Sequence, residues 1–246
     1  MYDPKGNGKD KAVESVQFFE APPPDHLRGI VHRFIELRTL APLPEDYRFH
    51  ALPDACTYIV FDQRDPGVAG ITRLQASSEE LNLGKSFHFI NIRLLPGVWQ
   101  GSREETSYGL VKDTYAGTLP LIALNRSMIG KDFAAKKALL IRFVESLVES
   151  GLVIANNVTE KIFRNLDDIH SVADMAAASA LSPRQLQRVL KKTTGFSPHD
   201  FLKVLRLQQS LDGEPSLSYA DQSHFIHSFR KATGYTPGQY SRKFDV

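Results

Sequence analysis

The chain has 246 residues, of which 42% are hydrophobic and 24% charged, and its formal net charge is +2. This balance predicts a globular protein of about two domains and excludes a disordered chain. No apolar run approaches the roughly 18 residues of a membrane span, so we expect no membrane partner. The single cysteine, Cys56, excludes an intramolecular disulfide and a cysteine-based zinc site. The polar residues 1–15 predict a flexible tail with no export signal, and hence a cytoplasmic protein.

After the tail, the chain has the pattern of β-strands. Residues 22–38 open with three prolines and predict either a short helix or an edge strand. Runs rich in Val, Ile, Thr and aromatic residues cover 57–62, 69–75 and 86–95, with Pro and Gly at the breaks between them. Strands at this spacing predict a compact antiparallel sheet, either a barrel or a sandwich, in a β-rich domain over 16–150.

Helical patterning follows the strands. In 131–150 apolar residues recur at steps of three and four, and Gly151 ends the run. Such a helix either packs on the sheet or pairs with its copy in a second subunit, and the sequence leaves both alternatives open. A further helix is predicted over 157–168, with Asn157 as its N-cap. We therefore place a helical linker between two domains at 151–168.

Residues 171–195 have the pattern of a helix, a tight turn and a second helix. Ser171 can cap the first helix, and Ser182 followed by Pro183 can begin the second. An apolar stripe on the second helix is formed by Leu186, Val189 and Leu190. The opposite side carries Arg184, Gln185, Gln187, Arg188, Lys191 and Lys192. Arginine and glutamine match guanine and adenine edges in the major groove, and lysines suit phosphates, so this side is a candidate DNA-binding surface.

Positive charge is concentrated in the same part of the chain. Residues 182–243 carry 10 Lys/Arg against 4 Asp/Glu, a net of +6, whereas residues 1–167 carry 20 against 21. A local excess of this kind neutralises phosphates. A solvated helical surface would give the same count, so the charge supports the DNA hypothesis only together with the helix pattern.

These C-terminal motifs resemble the AraC/XylS family of transcription regulators. The resemblance rests on SVADMA, on LSPRQLQRVLKKTTGFSPHDFLKVLRLQ (181–208) and on YADQSHFIHSFRKATGYTPGQY (219–240), and covers about the last 75 residues. It implies an all-α domain over 169–246 in which two helix-turn-helix units, joined by a long helix, bind double-stranded DNA. The implied first recognition helix, connecting helix and second recognition helix span 182–194, 198–211 and 221–233.

The segment that precedes the second recognition helix is shorter than in the family. By resemblance, its DNA-facing residues are Gln222, Ser223, His224, His227, Arg230 and Lys231. In the family, more residues usually separate the two motifs and build the first helix of the second unit. Here only 210–218 lies between them, and Gly213 and Pro215 preclude a continuous helix. We therefore expect the second recognition helix to lack its usual partner and to be mobile.

The β-rich domain occupies the position of the effector-sensing half of family regulators, which is often a cupin-like barrel. The resemblance therefore implies an α+β protein in which a barrel or sandwich that senses a small molecule precedes the helix-turn-helix domain. An anionic effector would need cationic partners, and the candidates are Arg28, Arg33, Arg38 and Arg93. We also expect a homodimer, joined through the N-terminal half.

Other chemistries have weaker support in the sequence. His224 and His227 lie three residues apart on a predicted helix, which would allow metal ligation, but no second ligand cluster accompanies them. His88 in an apolar strand predicts a core histidine, and Cys56 has no neighbouring cation to lower its thiol pKa. We expect neither a cofactor nor a metal, and no enzyme. The predicted function is sequence-specific transcription regulation. The alternatives are an antagonist that binds another regulator and a small-molecule enzyme in the β domain.

Overall fold

The computed structural model describes residues 2–5, 7–10, 15–72, 76–102, 104–107, 109–211 and 222–245. Its strands are β1 (Asn7–Asp10), β2 (Val16–Ala21), β3 (Val31–Thr39), β4 (Tyr47–Ala51), β5 (Thr57–Asp62), β6 (Ala69–Thr72), β7 (Glu79–Gly84), β8 (His88–Leu94), β9 (Thr106–Ser107) and β10 (Phe244–Asp245). Its helices are α1 (Leu121–Met128), α2 (Phe133–Glu149), α3 (Asn157–Arg164), α4 (Val172–Ala178), α5 (Pro183–Thr193), α6 (Pro198–Leu211), α7 (Gln222–Thr233) and α8 (Pro237–Lys243).

Two β-sheets form the N-terminal part. One has six strands in the order β2-β3-β8-β5-β6-β9, and the other has four in the order β10-β1-β4-β7. Their neighbouring strands are antiparallel, apart from the parallel pair of β6 and β9. Apolar side chains from both sheets pack together in one core cluster, so the sheets face each other. A β-rich region followed by a helical one is the predicted fold class, which the structure confirms.

The six-stranded sheet is covered on its other face by α1 and α2. Alternation along β5 puts Ile59 and Phe61 on this helix-covered face, while Tyr58 and Val60 point to the opposite side. The apolar stripe of α2 is buried in the same cluster as the sheet residues, through Leu140, Phe143, Val144 and Leu147. Of the two alternatives for this helix, the structure therefore shows packing on the sheet.

The segment 22–38 and the tail differ from their predictions. Residues 31–39 form β3, which is an interior strand because it lies between β2 and β8. Phe34 and Ile35 are buried on its two faces. In the tail, the ring of Tyr2 stacks on Phe163 at 4.5 Å, and β1 pairs with β4. The prediction of a flexible tail is therefore wrong for residues 2–5 and 7–10.

The helices from α3 to α6 share one apolar core, which contains Leu186, Leu190 and Phe201. The connecting helix has the bounds predicted for it, 198–211. The helix predicted over 157–168 ends earlier, at Arg164, and a 3-10 turn follows. Its N-cap is Asn156 and not Asn157, because the Asn156 carboxamide oxygen accepts hydrogen bonds from the first turn of the helix.

The second unit has support that the sequence did not predict. Phe225 and Phe229 of α7 are buried with Tyr240 and with Leu207 of α6, and Leu52, which follows β4, joins this cluster. The N-terminal domain thus supplies part of the packing that the expected missing helix would give. The shortened connection itself, with Gly213 and Pro215, lies outside the described residues.

Candidate nucleic-acid interface and cavity

The start of α5 is fixed by a reciprocal cap. The Ser182 hydroxyl oxygen accepts a hydrogen bond from the Gln185 backbone N–H at 3.3 Å, and Gln185 Oε1 accepts one from the Ser182 backbone N–H at 2.9 Å. Pro183 occupies the first turn, where its missing N–H has no cost. The turn before the cap passes through Ala180, which has a φ of +57°. These local features hold α5 against α4 in a helix-turn-helix.

One side of α5 is buried and the other is open to solvent. Leu186 and Leu190 are completely buried, whereas all six predicted contact residues are exposed: Arg184, Gln185, Gln187, Arg188, Lys191 and Lys192. The side chains of Arg184, Gln187 and Arg188 make no hydrogen bond or ion pair within the described parts of the chain. The result is a cationic helix face whose long side chains can reorient toward a ligand.

Gln185 and Lys191 of this face make hydrogen bonds within the protein. The Gln185 side-chain oxygen accepts hydrogen bonds from the backbone N–H and the hydroxyl of Ser182, so it serves the cap and is withdrawn from base readout. Lys191 Nζ donates to the Gly195 carbonyl oxygen at 2.9 Å, which ties this ammonium to the C-terminal end of the helix.

The exposed side of α7 carries four of the six residues predicted for the second recognition helix. Ser223, His227, Arg230 and Lys231 are open to solvent. The side chains of Gln222 and His224 lie outside the described residues. The C-terminal end of α7 is attached to the sheet region, because the Ser78 N–H donates to the Ala232 carbonyl oxygen at 2.8 Å.

A cavity lies between the two sheets of the N-terminal part. It has a volume of about 130 Å³ and is partly open to solvent. Its apolar lining consists mainly of Leu37, Phe49, Val60, Leu81, Leu83 and Phe89. Its polar lining includes Asp54, Cys56, Tyr58, Glu79 and Asn91. A concave, mostly apolar site with few polar groups has the character of a small-molecule pocket.

The four arginines proposed for an anionic effector do not line this cavity. Arg28 pairs with Asp25 at 2.8 Å on the surface, and Arg38 Nε donates to Gln17 at 3.0 Å. Arg33 pairs with Asp3 at 3.2 Å. These contacts lie just before β3 and on it, and none of the three predicted effector contacts lines this cavity.

Arg93 is the fourth candidate, and the structure gives it a structural role. Its side chain is only 2% exposed, Nη1 donates to the Pro4 carbonyl oxygen at 2.7 Å, and Nη2 pairs with Glu20 at 3.0 Å. Buried charges need such partners. Arg93 therefore anchors the N-terminal segment, and it is not among the residues that line this cavity.

The polar end of the cavity was missed by the sequence analysis. The Tyr58 hydroxyl donates to Asp54 Oδ2 at 2.6 Å, and Asp54 Oδ1 accepts from the Cys56 N–H at 2.9 Å. Cys56 is buried, and burial raises the pKa of its thiol, which opposes formation of a reactive thiolate. Asn91 was an available signal, since it interrupts the apolar residues of its strand, as His88 and Arg93 also do.

None of the helices among the described residues is both long and apolar enough to cross a membrane. Within the same parts of the chain, no three His, Cys, Asp or Glu side chains are grouped so that they could hold a metal ion. His88, predicted as a core histidine, is bonded to the buried Glu36 at 2.7 Å.

Comparisons with known proteins identify relatives and structural neighbours. No family model matches the chain. Solved structures of ToxT from Vibrio cholerae include an apo form, with 13% identity, coverage of 94% of this chain and 97% of that one, and a TM-score of 0.43. A structure of ToxT with an unsaturated fatty acid bound has 9% identity, coverage of 99% and 98%, and a TM-score of 0.41.

Two curated relatives carry names of DNA-binding regulators. The chain is 28% identical over 98 residues to the HTH-type transcriptional regulator MtrA of Neisseria gonorrhoeae. The aligned residues cover 35% of this chain and 33% of that protein. The chain is 26% identical over 161 residues to the HTH-type transcriptional activator RhaS of Pectobacterium atrosepticum, with 57% of each chain covered. The chain thus spans between a third and somewhat over half of these relatives. The resemblance drawn from the C-terminal motifs is confirmed by these relatives, since the chain is similar to helix-turn-helix regulators.

Proposed function

We propose that this protein is a transcription regulator that binds double-stranded DNA through α5. The observation that carries the proposal is the exposed cationic face of that helix, presented by a capped and well-packed helix-turn-helix. In such units the recognition helix enters the major groove and its first turns contact base edges. The relatives named as transcription regulators support the same function.

The residues of α5 divide into base and phosphate contacts. Arg184, Gln187 and Arg188 lie on the exposed side, where an arginine can bond both acceptors of guanine and a glutamine can bond adenine. Lys192 lies toward the C-terminal end and suits a phosphate. Gln185 supports the start of the helix through its bond to Ser182.

The second unit contributes through the exposed side of α7. Arg230 and Lys231 suit phosphate contacts, and Ser223 and His227 face solvent beside them. Gln222 and His224 belong to this proposed surface on the resemblance alone. Because Phe225 and Phe229 are buried in a shared cluster, the helix is held in place when it meets DNA.

Regulation by a small molecule is the second part of the proposal. The cavity between the sheets is the proposed effector site, since it combines an apolar lining with a few polar groups. A cytoplasmic location follows from the proposed contact with DNA. A homodimer stays a prediction, and α2 offers little to it because its apolar stripe is packed against the sheet.

The test is retardation of DNA by the purified full chain. Duplexes selected from a random library should be bound more tightly than unselected duplexes. The affinity should fall as salt concentration rises, because binding releases counterions from the phosphates. An absence of retardation at low salt, together with co-purification of another regulator, would instead identify the antagonist.

A further inference from the structure

Among the described residues that line the N-terminal cavity, Asn91 is the one carboxamide. It lies on β8, where Ile90 and Ile92 are completely buried beneath the helices. Because side chains alternate along a strand, Phe89 and Asn91 share the opposite face, and both line the cavity. The strand therefore places one neutral polar group within a largely apolar wall.

The carboxamide of Asn91 is unsatisfied within the protein. Its Oδ1 is buried and has no hydrogen-bond partner in the described structure. Most buried polar atoms in folded proteins are paired, and a buried acceptor without a donor is costly. An interior carboxamide that opens on a cavity and lacks a protein partner indicates that a bound molecule supplies the partner.

The neighbouring polar groups indicate the charge of that molecule. The Asp54 carboxylate is occupied by the Tyr58 hydroxyl and the Cys56 N–H, and Glu79 adds a second carboxylate to the lining. No lysine or arginine lines the cavity among the residues that the structure describes. Arg93, the next residue on this face of β8, has its guanidinium 5.6 Å from the centre of the Tyr58 ring, but it is bonded to the Pro4 carbonyl oxygen and to Glu20. A buried carboxylate ligand would therefore meet two carboxylates and no cation among the described lining residues.

We propose that the cavity binds an uncharged, mainly apolar small molecule whose single hydroxyl or amide group bonds to Asn91. A hydroxyl or amide can both donate to Oδ1 and accept from Nδ2, so it satisfies the carboxamide in either orientation. The hydrocarbon part fills the space among Leu81, Leu83 and Phe89. This inference rests on the proposed effector role of the cavity and adds the chemical class of the ligand.

Matched probes test the class directly. Octan-1-ol, octanamide and octanoate have the same chain length, and at pH 7 only octanoate is charged. Binding to the purified full chain is measured by calorimetry and by the shift in melting temperature. We expect the alcohol and the amide to bind and to raise the melting temperature, with octanoate about tenfold or more weaker. Octanoate binding as tight as octan-1-ol, or no binding by any probe, would overturn the proposal.

Substitutions test the role of Asn91. Asn91→Leu keeps the branching and the number of side-chain heavy atoms and removes the carboxamide, and should weaken octan-1-ol binding about tenfold. Asn91→Ser keeps a donor and an acceptor, and should retain part of the affinity, so it controls for a variant that fails to fold. Leu81→Phe narrows the cavity and should weaken both neutral probes alike. Equal octan-1-ol affinity in the parent and in Asn91→Leu would refute the contact.

Retardation of DNA, measured on the same preparations, separates the two proposals. Neutral-probe binding with no DNA binding would refute the proposed regulator and leave the cavity assignment standing. DNA binding with a preference for octanoate would refute only the ligand class.

Discussion

Ala180 has a left-handed backbone conformation in the turn between α4 and α5, with a φ of +57°. For a residue with a Cβ this conformation costs roughly 1–2 kcal/mol, while glycine loses about 0.5–1 kcal/mol more in backbone entropy on folding. Ala180→Gly should therefore raise the free energy of unfolding by up to about 1 kcal/mol, as measured by urea titration.

Ala177→Gly is the matched control, because Ala177 is exposed within the regular helix α4. It should lower the free energy of unfolding by about 1 kcal/mol. An equal decrease in the free energy of unfolding in Ala180→Gly and Ala177→Gly would show that the turn is not strained at Ala180.

His50 is a buried contact between the four-stranded sheet and the second unit. Its ring stacks on Phe244 at 5.0 Å, and Nδ1 lies 3.1 Å from the Tyr240 hydroxyl oxygen. Burial lowers the pKa of His50, and the charge of Lys243 adds to this effect. A hydrogen bond to the Thr233 backbone and the charge of Glu80 oppose it without reversing it.

The dependence of folding stability on pH follows from the lowered pKa of His50. Because folded His50 binds a proton less readily than unfolded His50, the stability that it contributes is present above the unfolded pKa of about 6.5 and is lost as pH falls below it. The stability difference between pH 7.5 and 5.5 should be smaller in His50→Gln than in the parent. His227→Gln, at an exposed position, should leave it unchanged. The pKa of His32 is also lowered by burial, so His32 accounts for part of the stability difference that remains in His50→Gln. An undiminished difference in His50→Gln would contradict this account.

At the scale of elements, α7 is held by its aromatic residues and by the sheet region. Phe229 is 2% exposed, so Phe229→Ala should lower the free energy of unfolding by about 3–5 kcal/mol. Hydrogen exchange should rise in β4 as well as in α8, since residues of all three regions share one cluster. Arg230→Ala on the exposed side should leave both measurements near the parent values. Unchanged exchange in β4 would show that α7 is independent of the sheet.

The elements differ in how well the sequence predicts them. The bounds of α6 and the start of α5 follow from local signals, namely helical periodicity, the Ser182 cap and Pro183. The interior position of β3 depends on pairing with β8, about fifty residues away, which no local pattern encodes. The position of β1 likewise depends on pairing with β4 and β10, which are distant in the sequence. Its polar residues alone therefore predicted a flexible tail.

At the scale of the whole molecule, the two halves are interlocked. The N-terminal β1 lies between β4 and the C-terminal β10. Gln208 of α6 donates to the Pro53 carbonyl oxygen at 2.7 Å and accepts from the Lys5 N–H at 2.6 Å. Measurements on DNA and on ligands therefore belong on the full chain, since a C-terminal fragment would expose surfaces that are buried here.

The two candidate sites also differ in what the sequence reveals. The face of α5 is formed by consecutive turns of one helix, so the spacing of Arg184, Gln187 and Arg188 was sufficient to predict it. The cavity is formed by residues from both sheets and from the loops between them. Asp54 and Asn91 meet there only through the tertiary fold, and the arginines chosen by charge were engaged elsewhere.

The central claim is that α5 reads DNA, and the affinity of Arg188→Ala for DNA tests it most directly. A bidentate arginine contact is worth about 1–3 kcal/mol, so the variant should bind a selected duplex roughly ten- to hundredfold more weakly than the parent. Its affinity for random duplexes should change little, and Arg142→Ala, exposed on α2, should bind as the parent does. Parental affinity of Arg188→Ala for both selected and random duplexes would contradict the account.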